Sequence, residues 1–453
     1  MFLTIKKIVS ALLAFVMAMC SGFALPEEQK CKAEFNGTFL QSWLSSTWSD
    51  DQWESEMQYM KDCGIEYLII QDSANKDLRK NGGSWTVYYD SKLSEFEDAN
   101  KSQQDVISSA LYHCKKAGIK VFVPLAMFDD FWYEGSLTSQ YYEICSLSAK
   151  MAEEIYSNYY KGYEDTFCGW YFTPELNNVI TCALNVAGTA KGLNTVLDKL
   201  TEIDPSLPLL LSPFYANYTS TGPAVTLTQL VRLFSLVNFR DGDIFCPQDG
   251  VGAGWIDEDD LAKVWSIYSQ AVETADADIK LWANCENFTL AFADTVLDGV
   301  LTRPATENTV AVPSTLDRLV RQMDIASRYA ENIISFSFNH YYSPKMSSSM
   351  FMETYKDYLA NGCVLESQVP TAPDSFEKAE NDGSVVLTWD EAEDNFGVAY
   401  YRIEKDGKFL TRFETYANYG ALSYTDANGS VNSTYTITAF DAAGNCSQTV
   451  TAK

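Results

Sequence analysis

The sequence predicts an α/β protein, a closed (β/α)8 barrel followed by a smaller all-β domain. Three observations predict it. Short β-rich runs alternate with longer helical patterns from about Phe35 to Gly362, as repeated βα units around a parallel sheet do. Eight such runs can be counted, the number that closes a parallel barrel. After a proline-containing stretch, "VPTAPDS" at 369–375, the helical patterns stop and only strand patterns remain.

The elements follow in order. Strand 1 is read as "GTFLQ" (37–41), strand 2 as "EYLIIQ" (66–71), strand 3 as "KVFVPLA" (120–126) and strand 4 as "CGWYFT" (168–173). Strands 5 to 8 are "PLLLSP" (208–213), "DIFCPQ" (243–248), "IKLWAN" (279–284) and "IISFSFN" (333–339). Between strands 1 and 2, Trp53, Met57 and Met60 recur at helical spacing before Gly64, placed as a C-cap glycine is. Val106, Ile107, Ala110, Leu111 and Cys114 do the same before Gly118. Both stripes suit packing on the outside of a barrel. His113, in the second of these helices, is expected on the surface.

The C-terminal strand patterns alternate around Trp389 and Tyr435 and turn at "KDGK" and "DAAGN". They resemble a fibronectin type III sandwich. The expected organisation is a leader over 1–24, a barrel over 25–364, a linker over 365–371 and a sandwich over 372–453. The sandwich reads as a spacer or anchor, so residues 25–362 are expected to fold and act alone.

The leader has lysines at 6 and 7, an apolar run from Ile8 to Met19, and small residues Gly22 and Ala24 where a signal peptidase would cut. Cys20 offers lipidation as an alternative, although Met19 suits it poorly. No other stretch is apolar and long enough to span a bilayer. The expectation is an exported protein, secreted or held at the cell surface, and monomeric. A formal charge of −28 argues against nucleic acid or an anionic membrane surface as partner. Of eleven cysteines, none forms a C-x-x-C pair, and there are only two histidines, His113 and His340. Neither a zinc site nor a Ser-His-Asp triad can be assembled from that supply, and no cofactor is expected. Cys168, Cys246 and Cys285 fall in apolar strand patterns as core residues do.

Barrel enzymes carry their chemistry at the C-terminal ends of the strands. That rim collects Gln41 and Trp43 after strand 1, Gln71 and Asp72 after strand 2, and Glu175 after strand 4. Gln248 and Asp249 follow strand 6, Asn284 and Glu286 strand 7, and Asn339, His340 and Tyr341 strand 8. Amides, carboxylates and aromatic rings together suit an oligosaccharide or polysaccharide partner. Trp85, Trp132 and Trp255 in loops, with Trp43, are the candidate platforms for sugar faces. Side chains alternate along a strand, so Lys280, Trp282, Asn284 and Glu286 share the inward face of strand 7. Tyr171 and Glu175 share one on strand 4, and on strand 6 the same count favours Asp249 over Gln248. Glu175 could also serve simply as a helix cap. Two inward carboxylates are what double-displacement glycoside hydrolysis requires, and they must lie about 5 to 5.5 Å apart for retention.

Placement after strands 4 and 7 resembles the large clan of retaining (β/α)8 glycosidases. That resemblance implies Glu175 as acid/base and Glu286 as nucleophile, with Pro174 standing where the clan usually has asparagine. More closely, "GTFLQSW", "WESEMQYMKDCGIEYLIIQ", "GWYFTPE", "PQDGVGA" and "LWANCENF" are similar to the bacterial glycosidase-like barrel family of domain of unknown function 4434, from Gly37 to about Tyr342. The resemblance implies a glycosidase-like site without fixing a substrate. A non-catalytic carbohydrate-binding barrel at the cell surface is the alternative, and a metal-assisted hydrolase using Asp249 and Glu286 is a third reading.

Overall fold

The computed structural model describes residues 25–26, 28–76, 83–128, 139–177, 186–214, 222–292, 309–416 and 422–453. The leader and the loop holding Asp129, Asp130 and Trp132 lie outside them. The described chain packs as two compact units.

The first unit takes residues up to 250, 256–285 and 322–336. Its centre is a closed parallel barrel in which the strands run 1-8-7-6-5-4-3-2. The strands are Gly37–Leu40, Tyr67–Ile70, Lys120–Pro124, Phe167–Phe172, Leu209–Leu211, Ile244–Phe245, Lys280–Glu286 and Asn332–Phe336. One side chain after another fills the interior: Phe39, Ile69, Phe122, Tyr171, Leu210, Ile244, Cys246 and Ile334, with Trp282 and Phe336 packed against them. Full burial of each large apolar side chain stabilises the fold by about 1.5–3 kcal/mol, so this plug is a main reason the barrel closes without a pore. Each strand alternates, and the opposite residues, such as Leu40, Ile70, Val121 and Trp170, are buried on the helix side.

The helices obey the expected stripes. Asp50–Asp62 starts at a capping box of Ser49 and Gln52 and buries Trp53, Met57 and Met60. Val106–Ala117 is capped by Asp105, whose carboxylate accepts from the Ser108 N–H at 2.8 Å, and ends at Gly118 with φ 76°. His113 is not on the surface: it is 2 % exposed and stacks on Trp53 at 5.9 Å. It stands three residues after Ala110, on the buried stripe, and its Nε2 lies 3.4 Å from an Asp50 carboxylate oxygen.

The segments after strands 2 and 3 form a small sheet of their own, in the order Asn100–Lys101, Trp85–Val87, Ala74–Lys76, Ala126–Phe128. This sheet has no counterpart in the sequence reading, which places Trp85 and Trp132 of these segments in loops.

The second unit takes residues 251–255, 286–321 and 337–453. It contains a hairpin of Phe288–Phe292 and Thr309–Pro313, a π-helical turn Phe338–Tyr342, and two antiparallel sheets of three and four strands at its C-terminal end. Val385, Leu387, Trp389, Tyr401, Ile403, Tyr435 and Ile437 fill the space between these sheets. Packing therefore does not follow the proline-containing linker, because residues 286–321 group with the sandwich. Among the described residues no helix is long and apolar enough to cross a membrane.

Candidate active site

Strand 4 ends at Phe172 and its last inward ring, Tyr171, packs edge-on against Phe39 at 5.1 Å. Thr173, two residues on, donates its hydroxyl to the Ala126 carbonyl and anchors the strand end. Glu175 follows in irregular chain. No helix starts there among the described residues, since the next residues bridge to Phe214 and the next described helix is Val186–Ile203. Among the described residues Glu175 caps no helix.

The Glu175 side chain is half-buried, and its Oε2 accepts from Gln248 Nε2 at 2.9 Å. Burial of the carboxyl pushes its pKa up to about 7, against the opposing effect of the Gln248 hydrogen bond. Gln248 Nε2 also donates to the Ser212 carbonyl at 3.1 Å, and Asn284 Nδ2 donates to Ser212 Oγ at 3.1 Å. The ends of strands 4, 5, 6 and 7 are thus tied into one polar network. Gln248 pairs with Asn284 in a parallel bridge, which extends strands 6 and 7 past their apolar runs.

Asp249 departs from expectation. Ile244 and Cys246 fill the barrel interior, so Gln248 is the inward residue and Asp249 falls on the helix side. There it is fully buried and accepts from Gln322 Nε2 at 2.6 Å, next to Cys285. Apolar residues on both faces of strand 6 hid its alternation from the sequence. Among the described residues no group of three His, Cys, Asp or Glu is arranged to hold a metal ion.

Glu286 is the last residue of strand 7 and belongs to the second unit, where it is 3 % exposed. Its Oε2 accepts the Ala253 N–H at 2.7 Å. The neighbouring Gly252 has no room for a side chain: a Cβ there would stand 2.8 Å from Glu286 Cβ and 2.5 Å from the Phe288 carbonyl oxygen. In the "DGVGAG" loop Gly252 leaves room for this approach, while Gly250 and Gly254 take positive φ of 70° and 71°. Arg318 Nη2 donates to the carbonyls of Glu286 at 3.1 Å and Phe288 at 2.5 Å. Tyr341, 6 % exposed, stacks on Phe288 at 5.2 Å. Burial first, and the Glu286 charge second, push its phenol above the ordinary tyrosine range. His340 lies against Tyr341 at 4.6 Å, and burial favours its neutral form. Asn339 is fully buried in the same turn.

The remaining rim residues divide. Gln41 and Gln71 are half-buried and lie two residues beyond the inward Phe39 and Ile69. Trp43 is 55 % exposed, and Trp255 is half-buried. Asp72 is buried, with its backbone carbonyl accepting from the Ser42 hydroxyl at 2.5 Å. Trp85 does not offer a free face: it is 9 % exposed, between Phe96 at 5.4 Å and Phe128 at 5.2 Å, with the Lys76 ammonium 5.6 Å from its ring centre. Tyr88 and Tyr89 are buried beside it. Trp132 lies outside the described residues.

Sequence reasoning missed Ser212, Ala253 and Arg318. Ser212 could have been found, since it lies two residues beyond the inward Leu210. Ala253 acts through its backbone N–H and Arg318 through its guanidinium on backbone carbonyls, contacts that leave no mark in the sequence.

Residues 35–348 match the family described as Domain of unknown function (DUF4434). The chain belongs to that family. The DUF4434 chain matches no curated protein. Among solved structures it is similar to a "putative alpha-L-fucosidase" from Bacteroides thetaiotaomicron VPI-5482, with TM-score 0.57 and 18 % identity over 75 % of this chain and 96 % of that one. The endo-beta-1,4-mannanase from Thermotoga petrophila matches with TM-score 0.42 and 13 % identity over 93 % of this chain and 97 % of that one. A family 5 glycoside hydrolase from Bacteroides vulgatus ATCC 8482 matches with TM-score 0.42 and 13 % identity over 90 % of each chain. The likeness to the first of these is one of fold, a (β/α)8 barrel.

Proposed function

We propose that this DUF4434 chain is an exported glycoside hydrolase that cleaves O-glycosidic bonds of an extracellular glycan with retention of configuration. Glu175 is the acid/base and Glu286 the nucleophile. The observation that carries the reading is Glu175 itself, a carboxyl after strand 4 whose burial raises its pKa to about 7 while Gln248 orients it. A general acid works best when its pKa lies near the working pH. The alternation of strand 7 supports the second role, since Trp282 packs in the interior and Asn284 and Glu286 follow it at steps of two. Gln248, Ser212 and Asn284 offer amide and hydroxyl partners for sugar hydroxyls, and Gln41, Gln71, Asn339 and Tyr341 extend that set. The fucosidase named among the similar structures makes aryl fucosides a natural part of the first substrate panel. The all-antiparallel sandwich, with Trp389 in its core, supports a fibronectin type III assignment for residues 372–453.

A panel of aryl glycosides and oligosaccharides, assayed for reducing sugar with and without a chelator, tests the reading. Release that the chelator leaves unchanged is expected. Glycan binding without release would make the protein a carbohydrate-binding barrel, and release abolished by the chelator would revive the metal-assisted reading. Asp249, held against Gln322, is poorly placed for the latter.

Trp43 is the best-placed sugar platform because its ring is open to solvent directly after strand 1. Trp43→Ala is expected to weaken glycan affinity about tenfold, the loss of one stacking contact, with little change in melting temperature. Calorimetric titration alongside thermal melts checks both halves. Unchanged affinity would remove Trp43 from the site.

A further inference from the structure

We infer that the C-terminal sandwich positions the Glu286 carboxylate, which belongs to the same compact unit. The catalytic consequence rests on the reading of Glu286 as nucleophile, but the contacts do not. The loop after the strand Tyr435–Asp441 turns its carbonyls toward the start of the helix Leu316–Ala326. Ala442 O accepts the Leu316 N–H at 2.8 Å, and Ala443 O accepts the Asp317 N–H at 3.1 Å. The first N–H groups of a helix have no partner within it, so the sandwich caps this helix from outside. In the same first turn, Arg318 holds the carbonyls of Glu286 and Phe288.

A second link runs beside the first. Arg412 Nη2 donates to the Pro313 carbonyl at 3.2 Å, with its guanidinium 3.7 Å from the Tyr400 ring centre. Pro313 pairs with Phe288 at the base of the hairpin that directly follows Glu286. Ser314 N–H donates to the Asn287 carbonyl at 3.0 Å, and Tyr342 Oη donates to the Ser314 carbonyl at 3.0 Å. The backbone on the C-terminal side of Glu286 is therefore held from the sandwich by two routes.

The clamp is built for close fit. Gly444 has φ 104°, and a Cβ there would stand 2.2 Å from Asp317 Oδ1. Asp441 shapes the turn by accepting the Gly444 and Asn445 N–H groups at 2.7 and 2.8 Å. Asn445 Nδ2 in turn donates to Asp441 Oδ2 and to Glu366 Oε1, each at 2.9 Å. A side chain at Gly444 must displace the Asp317 side chain or the loop itself, beside a strained φ, and the disturbance falls on the residue next to Arg318. Misplacing a reacting group by about 1 Å costs on the order of 100-fold in rate.

The test compares full-length wild type with Gly444→Val and, separately, Arg318→Met. Hydrogen exchange is followed in peptides covering 251–255 and 314–318, and kcat and KM are measured on the best aryl glycoside. Both variants are expected to exchange faster at the Ala253 amide, which Glu286 holds. They should also lose about 10–100-fold in kcat with KM within about twofold. Gly444→Val alone should also free the amides of Leu316 and Asp317. Glu286→Ala, which removes the acceptor of the Ala253 N–H, supplies the reference for a loosened Ala253. If Gly444→Val frees the helix amides while Ala253 exchange and kcat match wild type, the positioning role is overturned. Should Gly444→Val fail to fold, Arg318→Met decides on the same readouts. If wild type turns over no glycoside, the glycosidase reading fails, and exchange at Ala253 still decides whether the sandwich holds Glu286.

Discussion

Replacing Glu286 with Gln is expected to lower turnover by roughly four orders of magnitude while leaving glycan affinity close to wild type, because only the covalent step loses its nucleophile. The substitution keeps the shape of the side chain, and a carboxamide oxygen can still accept the Ala253 N–H that Glu286 Oε2 accepts at 2.7 Å. The fold should therefore survive. Steady-state kinetics on an activated aryl glycoside, with calorimetry for binding, checks the two halves separately. A variant with more than a tenth of the wild-type turnover would show that Glu286 is no nucleophile.

Replacing Glu175 with Gln is expected to cost about 10²–10⁴-fold on substrates with poor leaving groups and much less on activated ones, which need little proton assistance. The pH profile gives the sharper signature. Burial places the Glu175 pKa at about 7, so the acid form that donates the proton is lost as pH rises through that value. The alkaline limb of kcat/KM should bend near pH 7 in wild type and disappear in the variant. Stability follows with a definite sign. A carboxyl whose folded pKa is raised stabilises the protein fully below its unfolded value, about 4.3, and that contribution is lost as pH rises through about 7. Glu175→Gln carries no ionisable group, so it should melt higher than wild type at pH 8 and match it near pH 4. A variant that melts lower at pH 8 would mean that the carboxylate is held by favourable contacts there.

What the sequence made legible follows from which signals are local. Eight β-rich runs, the helix stripes of Trp53 and Val106, and the alternation of Lys280, Trp282 and Asn284 each arise from a few adjacent residues, and each recurs in the fold. Strand 6 was harder because Ile244 and Phe245 are both buried, so no polar face marks the inside and Asp249 took the place that belongs to Gln248. Trp85 was misjudged because the small sheet pairs a strand after barrel strand 2 with one after strand 3, a contact that neither stretch announces. The same holds for His113, whose polarity suggested solvent while its position on the stripe put it against Trp53. The hold of Ala442 and Ala443 on the helix at Leu316 lies between backbone groups far apart in the chain, and composition carries no trace of it. Only the glycine at 444 records that contact, through the space it leaves for Asp317.

The most direct test of the central claim is to trap the covalent intermediate. The protein is incubated with a panel of 2-deoxy-2-fluoroglycosyl fluorides, beginning with the fucosyl donor, and the intact mass and proteolytic peptides are measured. A retaining mechanism with Glu286 as nucleophile predicts a mass gain of one fluoroglycosyl unit on the peptide carrying Glu286, and none in Glu286→Gln. A label on Glu175, Asp249 or any other carboxylate, or an unlabelled protein that releases sugar of inverted configuration, would contradict it.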